Sequence, residues 1–378
     1  MRCAIVHYWL LGMRGGEKVV ESLCKLLPNA DIFTLFYDPT QVSTTIRSQK
    51  ITTSFLNPLR RHYRSLLPLM PMAIEHLDLR GYDLVISSES GPAKGVITSS
   101  QTKHVCYCHS PMRYLWDLYP AYLHEWTHSR VKRALMAPLT NYLRMWDYAS
   151  AARVDDFIAN SRNVQSRIWK AYRRESEIIY PPVAVESFYY AESQGYYLIV
   201  SELVAYKRID YAIQCFRRTG RRLKIVGMGP EYKKLRALAT SEVEFCGRVP
   251  DHELRSLYSQ CRAVIMPGEE DFGIVPVEAL ASGKPVIGLA RGGVLESVTD
   301  GKPRRGFLYK EATEHHLEAA LIEFEQEETH ISPIMLQSYA TRFSEQRFQS
   351  EMSRLLLGAR ETPAKTLAFP QRSRSSEV

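Results

Sequence analysis

The chain has 378 residues, 45% of them hydrophobic and 24% charged, with a formal net charge of +8. That length suits two ordinary domains with a full core each, and no apolar run reaches the ~18 residues needed to span a bilayer. Seven cysteines, an odd number without a CxxC pair, argue against a disulfide framework and for a reducing, cytoplasmic setting.

The first apolar run, "CAIVHYWL", reads as a buried strand; the opening "MRCAIVHYWLLG" lacks the small-residue cleavage site of a signal peptide. The loop after it, "LLGMRGG", brings Gly15 and Gly16 to the start of a helix over 17–27, where their N–H groups can face a ligand. "ADIFTLF", "DLVISSE", "KHVCYCH" and "DFIANS" are further short strands, with a helix over 141–154. Near-continuous apolar strands alternating with helices indicate a parallel sheet covered on both faces. In "CYCH" strand alternation sends Cys106 and Cys108 to one face and His109 to the other, so buried thiols are expected rather than a metal site.

The excess charge lies in one half. Residues 1–180 hold 23 Lys+Arg against 15 Asp+Glu, and residues 181–378 hold 26 of each. Between Asp38 and Glu75 there is no acidic residue, but Arg47, Lys50, Arg60, Arg61 and Arg64 are interleaved with Phe55, Leu59, Leu66, Leu67 and Leu69. This mixture fits a solvated basic face over an apolar side, or docking on an anionic membrane surface. A basic nucleic-acid-binding protein is a third reading, although no recognised RNA or DNA motif accompanies the charge.

"YPPVAVESFYYAESQ" reads as a linker, after which the strand–helix grammar restarts with "YYLIVSE", "RLKIVGMG", "VEFCGRV", "RAVIMPG", "KPVIGLA" and "GFLYK". The expected architecture is therefore α/β: two doubly wound Rossmann-like domains facing across a cleft, at 1–185 and 195–335. Ligands in such sheets bind beyond the carboxyl ends of the strands. A final amphipathic helix is expected over 335–357, packing back toward the first domain, with a disordered polar tail at 358–378.

The second half carries the most informative stretch, "EEDFGIVPVEALASGKPVIG". A helix starts near Ile274–Pro276, and Gly273 lets the backbone turn and be approached closely. The N–H groups of Phe272, Gly273 and Ile274 then sit at the positive end of a helix, a seat for phosphate. Glu270 and Glu278 cannot face that phosphate, since like charges ~4 Å apart cost roughly 4 kcal/mol even at an effective dielectric near 20. They suit hydroxyls at the two ends of a diphosphate, on a sugar and on a ribose. The plain alternative is a helix start with favourable acidic residues. In "ELVAYKRID" Lys207 and Arg208 enter the next helix from a strand end, where a diphosphate needs cations. "RGGVLESV" repeats the glycine–helix device at Gly292, Gly293 and Glu296. The GxG of "VGMGPE" lacks the third glycine of a dinucleotide fingerprint.

These motifs together resemble the retaining glycosyltransferases of family 4, which have the GT-B fold and hold a nucleotide-sugar in the cleft. "YCHSPMRYLWD", "ARVDDFIANSR" and "IIYPPV" resemble the bacterial branch that includes O-antigen and exopolysaccharide mannosyltransferases. The resemblance implies that Glu270 holds hydroxyls of the transferred sugar and Glu278 those of the ribose. It gives Lys207, with Arg208 and the amides at 272–274, the diphosphate. His109 bonds the donor sugar near its reacting centre, and Gly15 and Gly16 line the cleft. Many members carry an arginine beside the strand-ending serine, where this chain has Ser201-Glu202; Arg208 or Arg113 is expected to compensate. No cofactor or metal is expected, because no DxD-like strand-end pair appears and the protein's cations face the diphosphate. GDP-mannose is the implied donor, and a glycan or lipid-linked acceptor at the inner face of the membrane the implied partner. Alternatives on the same fold are a nucleotide-sugar epimerase or a phosphorylase.

Overall fold

A computed structural model of the chain describes residues 1–119, 130–298 and 304–358. The expected disordered tail lies, beyond Gly358, outside the described residues. Seven strands form the first sheet: β1 (Cys3–Leu10), β2 (Asp31–Tyr37), β3 (Ile51–Thr53), β4 (Leu84–Glu89), β5 (Lys103–Cys108), β6 (Asp156–Ala159) and β7 (Glu177–Ile178). All its pairings are parallel, in the order β3-β2-β1-β4-β5-β6-β7. The second sheet is likewise parallel, in the order β10-β9-β8-β11-β12-β13. Its strands are β8 (Tyr196–Val200), β9 (Arg222–Val226), β10 (Val243–Gly247), β11 (Val264–Met266), β12 (Val286–Leu289) and β13 (Gly306–Tyr309).

β1 shows why these runs are apolar almost throughout. Ile5 packs into the core on one face of the sheet, while Ala4, Val6 and Tyr8 pack into the core on the other. Covering both faces removes water from every position, which alternation with polar residues would not allow. The strand order reverses direction between β1 and β4, and again between β8 and β11. The loops leaving the carboxyl ends at those switch points form the facing walls of the cleft.

Two expectations about helices change. The helix of the first domain runs over Arg130–Ser150 and ends in a short 3-10 turn at Ala151–Arg153. The terminal helix is broken into Pro333–Ala340, a 3-10 turn at Thr341–Phe343, and Glu345–Gly358. The break has a partner: the Phe343 carbonyl accepts from the Val183 N–H at 3.0 Å, so the chain's return crosses the linker there. Beyond it Phe348, Met352 and Leu356 enter the core of the first domain, beside Ile5 and Val20. Burying such side chains contributes ~1.5–3 kcal/mol each and fastens the end of the chain to its beginning.

Candidate active site

The second-domain wall is built around the helix Ile274–Ala281. Gly273 caps it with φ 82°, a left-handed value that disfavours other residues, and no side chain caps the first turn. Pro276 is the third helical residue rather than the first, still among positions whose N–H has no intrahelical partner. Among the described residues, no acceptor bonds the N–H groups of Phe272, Gly273 or Ile274. The Phe272 ring faces away from them, packed between Tyr180 and Phe343 with centroids 5.4 and 5.6 Å apart. Only its backbone is presented to the cleft.

Glu270 and Lys207 meet in an ion pair. Lys207 ends the 3-10 turn Ala205–Lys207 after β8 and is almost fully buried. The loop before Glu270 presses on it from behind: a Cβ on Gly268 would lie 2.6 Å from the Lys207 carbonyl oxygen. Arg208 does not join this pair. It has φ 51°, turns outward, and pairs with Asp210 at 3.4 Å. The device at 292–293 also proves structural. Gly293 donates to the Glu270 carbonyl at 2.9 Å, and a Cβ there would lie 2.3 Å from the Phe272 Cα. These glycines let the chain back directly onto 270–272, and the helix after them has only four residues.

The first-domain wall carries Gly15 and Gly16 at the start of the helix Gly15–Leu26. A Cβ on Gly15 would stand 3.0 Å from Cδ1 of Ile274, so the two helix starts meet across the cleft. A Cβ on Gly16 would stand 3.3 Å from the His7 ring and 3.6 Å from Nε2 of His109. His109 Nε2 lies 2.8 Å from Ser88 Oγ, and His7 Nδ1 lies 3.1 Å from the Ser88 carbonyl oxygen. Burial pushes His109 down to about 4, and burial together with His109 pushes His7 down to about 3. Both rings are therefore neutral at pH 7, suited to hydrogen bonding rather than to carrying charge.

Glu278 is bound at both oxygens, to Lys18 at 3.2 Å and to the Tyr258 hydroxyl at 2.8 Å. Arg14 reaches Glu202 at 3.3 Å. Arg113 meets Asp271 at 3.3 Å, and Arg167 pairs with Asp271 and, at 2.6 Å, with Glu269. Glu296 accepts from the N–H groups of Arg162 and Asn163 at 2.8 and 3.0 Å, adding to the N-cap of the first-domain helix Arg162–Tyr172. The domains are thus joined by charge on both sides of the cleft. Of the residues expected at the site, Lys207 and Glu270 meet, as do Gly15 with Ile274 and Gly16 with His109. Arg208 stands apart, Arg113 is engaged by Asp271, and Glu278 faces Lys18. His7, Arg14, Lys18 and Ser88 were not foreseen. A histidine inside the otherwise apolar β1 was the one visible sign.

The buried histidines make stability depend on pH. His104 is also pushed down by burial, to about 4. Unfolded histidine titrates near ~6.5, so the unfolded chain takes up protons first and stability is lost as pH falls from there toward 4. Burial pushes Glu89 up to about 7, which works the other way: stability it costs at neutral pH returns as pH falls. Burial raises Glu17 and Asp271 as well, but of these carboxyls Glu89 is the one brought to neutral pH, so the three histidines dominate between pH 7 and pH 5. The melting temperature should drop between pH 7 and pH 5 in a calorimetric series; a rise would show that these rings are charged in the folded state.

The model for "Glycosyltransferase Family 4" matches residues 13–187, and that for "Glycosyl transferases group 1" matches residues 187–343. The chain is a glycosyltransferase with the GT-B fold. Among curated relatives, this glycosyltransferase is 30% identical over 152 residues to an uncharacterized glycosyltransferase of Methanocaldococcus jannaschii, covering 39% of this chain and 43% of that one. It is 29% identical over 159 residues to the O-antigen chain mannosyltransferase RfbU of Salmonella typhimurium, 39% of this chain and 45% of that one. It is 33% identical over 103 residues to a GDP-mannose-dependent alpha-mannosyltransferase of Corynebacterium glutamicum, 27% and 25% of the two chains. The matched regions span less than half the length of each relative. Among solved structures, sucrose-phosphate synthase from Thermosynechococcus elongatus superposes with a TM-score of 0.70 at 16% identity, over 95% of this chain and 99% of that one. Anabaena HepE in complex with UDP-glucose superposes with a TM-score of 0.68 at 16% identity, over 94% and 99%.

Proposed function

We propose that this glycosyltransferase moves mannose from GDP-mannose onto a glycan or lipid-linked oligosaccharide, with retention of configuration, in the synthesis of a bacterial surface polysaccharide. One observation carries the site: three successive amides at a helix start, bonded by no acceptor among the described residues, lie beside the Lys207–Glu270 pair. Helix starts of this kind hold anions. The diphosphate takes those amides and the Lys207 ammonium, while Glu270 accepts from hydroxyls of the sugar. Glu278 accepts from the ribose hydroxyls, which replace its bond to Lys18. His109, neutral and fixed on Ser88, bonds the donor sugar from the opposite wall. The relatives named for mannose and for GDP-mannose support the choice of donor.

Retention follows a same-face course in this reading. The bond from the anomeric carbon to the diphosphate oxygen breaks as the acceptor oxygen attacks from the same side, and the departing diphosphate takes the acceptor's proton. Lys207 and the helix start stabilise the charge that grows on the leaving group, so protein cations do the work without a metal. A thermal-shift panel of nucleotide-sugars, run with EDTA present, tests the donor. GDP-mannose should raise the melting temperature most, by several degrees at concentrations far above its Kd; a larger shift with a uridine nucleotide-sugar would overturn the choice.

The enzyme works at the cytoplasmic face of the membrane in this proposal. Among the described residues, no helix is long and apolar enough to cross one. The 3-10 segment Asn57–Leu69 instead carries Leu59 and Leu69 exposed at 51% and 42%, near Phe55 and Met72 at 51% and 56%, with Arg60 and Arg61 between. Each basic residue near anionic headgroups contributes roughly 1 kcal/mol. Arg60→Glu with Arg61→Glu should weaken cosedimentation with phosphatidylglycerol vesicles at least tenfold. Equal binding of wild type to neutral vesicles would contradict this.

A further inference from the structure

Between the domains, beside the Lys207–Glu270 pair, lies a cavity of about 450 Å³ lined by Trp9, Tyr63, Tyr114, Tyr206, Arg14 and Glu202, among others. We propose that it binds a neutral sugar residue of the acceptor, with the aromatic rings as stacking faces and the Arg14–Glu202 pair as the hydroxyl-binding group. This assignment rests on the transferase reading above and names its acceptor subsite.

The chemistry of the lining selects the ligand. Small-molecule sites of ~300–1,000 Å³ are mostly apolar, with a few placed polar groups. Here four aromatic side chains come from both domains, and Trp9 meets Tyr63 edge-on with centroids 4.9 Å apart. Rigid rings offer the C–H faces of a sugar a flat apolar contact at little entropic cost. Arg14 and Glu202 lie 3.3 Å apart and cancel each other's charge, so that edge of the cavity suits hydroxyls, which both accept and donate. The side chains of the pair are 53% and 39% exposed, and exposed pairs are worth about 1 kcal/mol or less. Hydroxyls can therefore insert between them without a large loss. Arg64 also lines the cavity, bonded to the Tyr63 hydroxyl at 3.2 Å.

Position points the same way. Arg14 stands two residues before Gly16, which abuts His109. Tyr206 precedes Lys207, whose ammonium lies 5.1 Å from the Tyr206 ring centroid. The cavity lining is thus tied through Arg14 to the loop that reaches the histidines and through Tyr206 to the pair that faces the donor. The unusual Ser201-Glu202 acquires a purpose in this arrangement. A carboxylate there would repel a diphosphate, but it faces the cavity and fixes Arg14.

Octyl α-D-mannopyranoside and octyl β-D-glucopyranoside serve as probes in two arms. In saturation-transfer NMR without donor, at least one should bind wild type at millimolar concentration, with the signal lost in Trp9→Ala and Glu202→Gln. In turnover with the nucleotide-sugar that gives the largest thermal shift, both variants should raise the KM for the glycoside tenfold or more, with the donor KM changed less than twofold. No binding of either glycoside to wild type, or unchanged glycoside KM in both variants, would overturn the assignment. Absence of any nucleotide-sugar shift, with glycoside binding intact, would overturn the donor reading alone.

Discussion

Lys207→Ala should lower kcat/KM by about 10²–10³-fold, equivalent to ~3–4 kcal/mol of lost transition-state stabilisation. The ammonium is held almost out of water at the end of a short 3-10 turn, where its only carboxylate partner among the described ion pairs is Glu270. In the proposed reaction a charge placed this way interacts strongly with the negative charge developing on the departing diphosphate, because little water screens it. The loss should appear in kcat as well as KM, since the interaction strengthens as the bond breaks. Removing Lys207 also leaves Glu270 without its cation. A melting curve must accompany the kinetics, and a fall of a few degrees is compatible with the interpretation. Steady-state kinetics with unchanged kcat/KM would remove Lys207 from the site.

Ile274→Pro is the second substitution with a large expected effect, and it isolates a single N–H. Ile274 is the first residue of its helix, the position where proline fits the backbone and forfeits no intrahelical bond. Turnover should fall about 10²-fold, the usual cost of deleting one preorganised donor. The melting temperature should change little. Ile274→Ala is the control, because it keeps the amide and trims only the side chain that lies over Gly15. Equal kinetics for the two variants would show that the amide plays no part.

The sheets were legible because a parallel strand buried on both faces is apolar along most of its length. "CAIVHYWL" coincides with β1 residue for residue, and "RAVIMPG" contains β11 and the turn toward the site. The three-residue β3 and the 3-10 segment Asn57–Leu69 were not foreseen, since neither is long enough or regular enough to impose a period on the basic stretch. The break at 341–344 was hidden for another reason: an amphipathic pattern continues across it, and what meets it is Val183, far away in the chain. Partners of the site's charges were equally out of reach. Arg14 finds Glu202 across 188 positions and Lys18 finds Glu278 across 260, distances at which spacing carries no information. Local chemistry was readable in part: no acceptor among the described residues bonds the amides beside Gly273, whereas Gly293, in the same glycine–helix device, donates to the Glu270 carbonyl.

A crystal structure of the protein with bound GDP-mannose would be the most direct trial of the diphosphate seat. Phosphate oxygens should lie within ~3 Å of the amide nitrogens of Phe272, Gly273 and Ile274, with Lys207 swung from Glu270 onto the same group. A nucleotide whose phosphates contact none of these amides, or a seat elsewhere in the cleft, would contradict it.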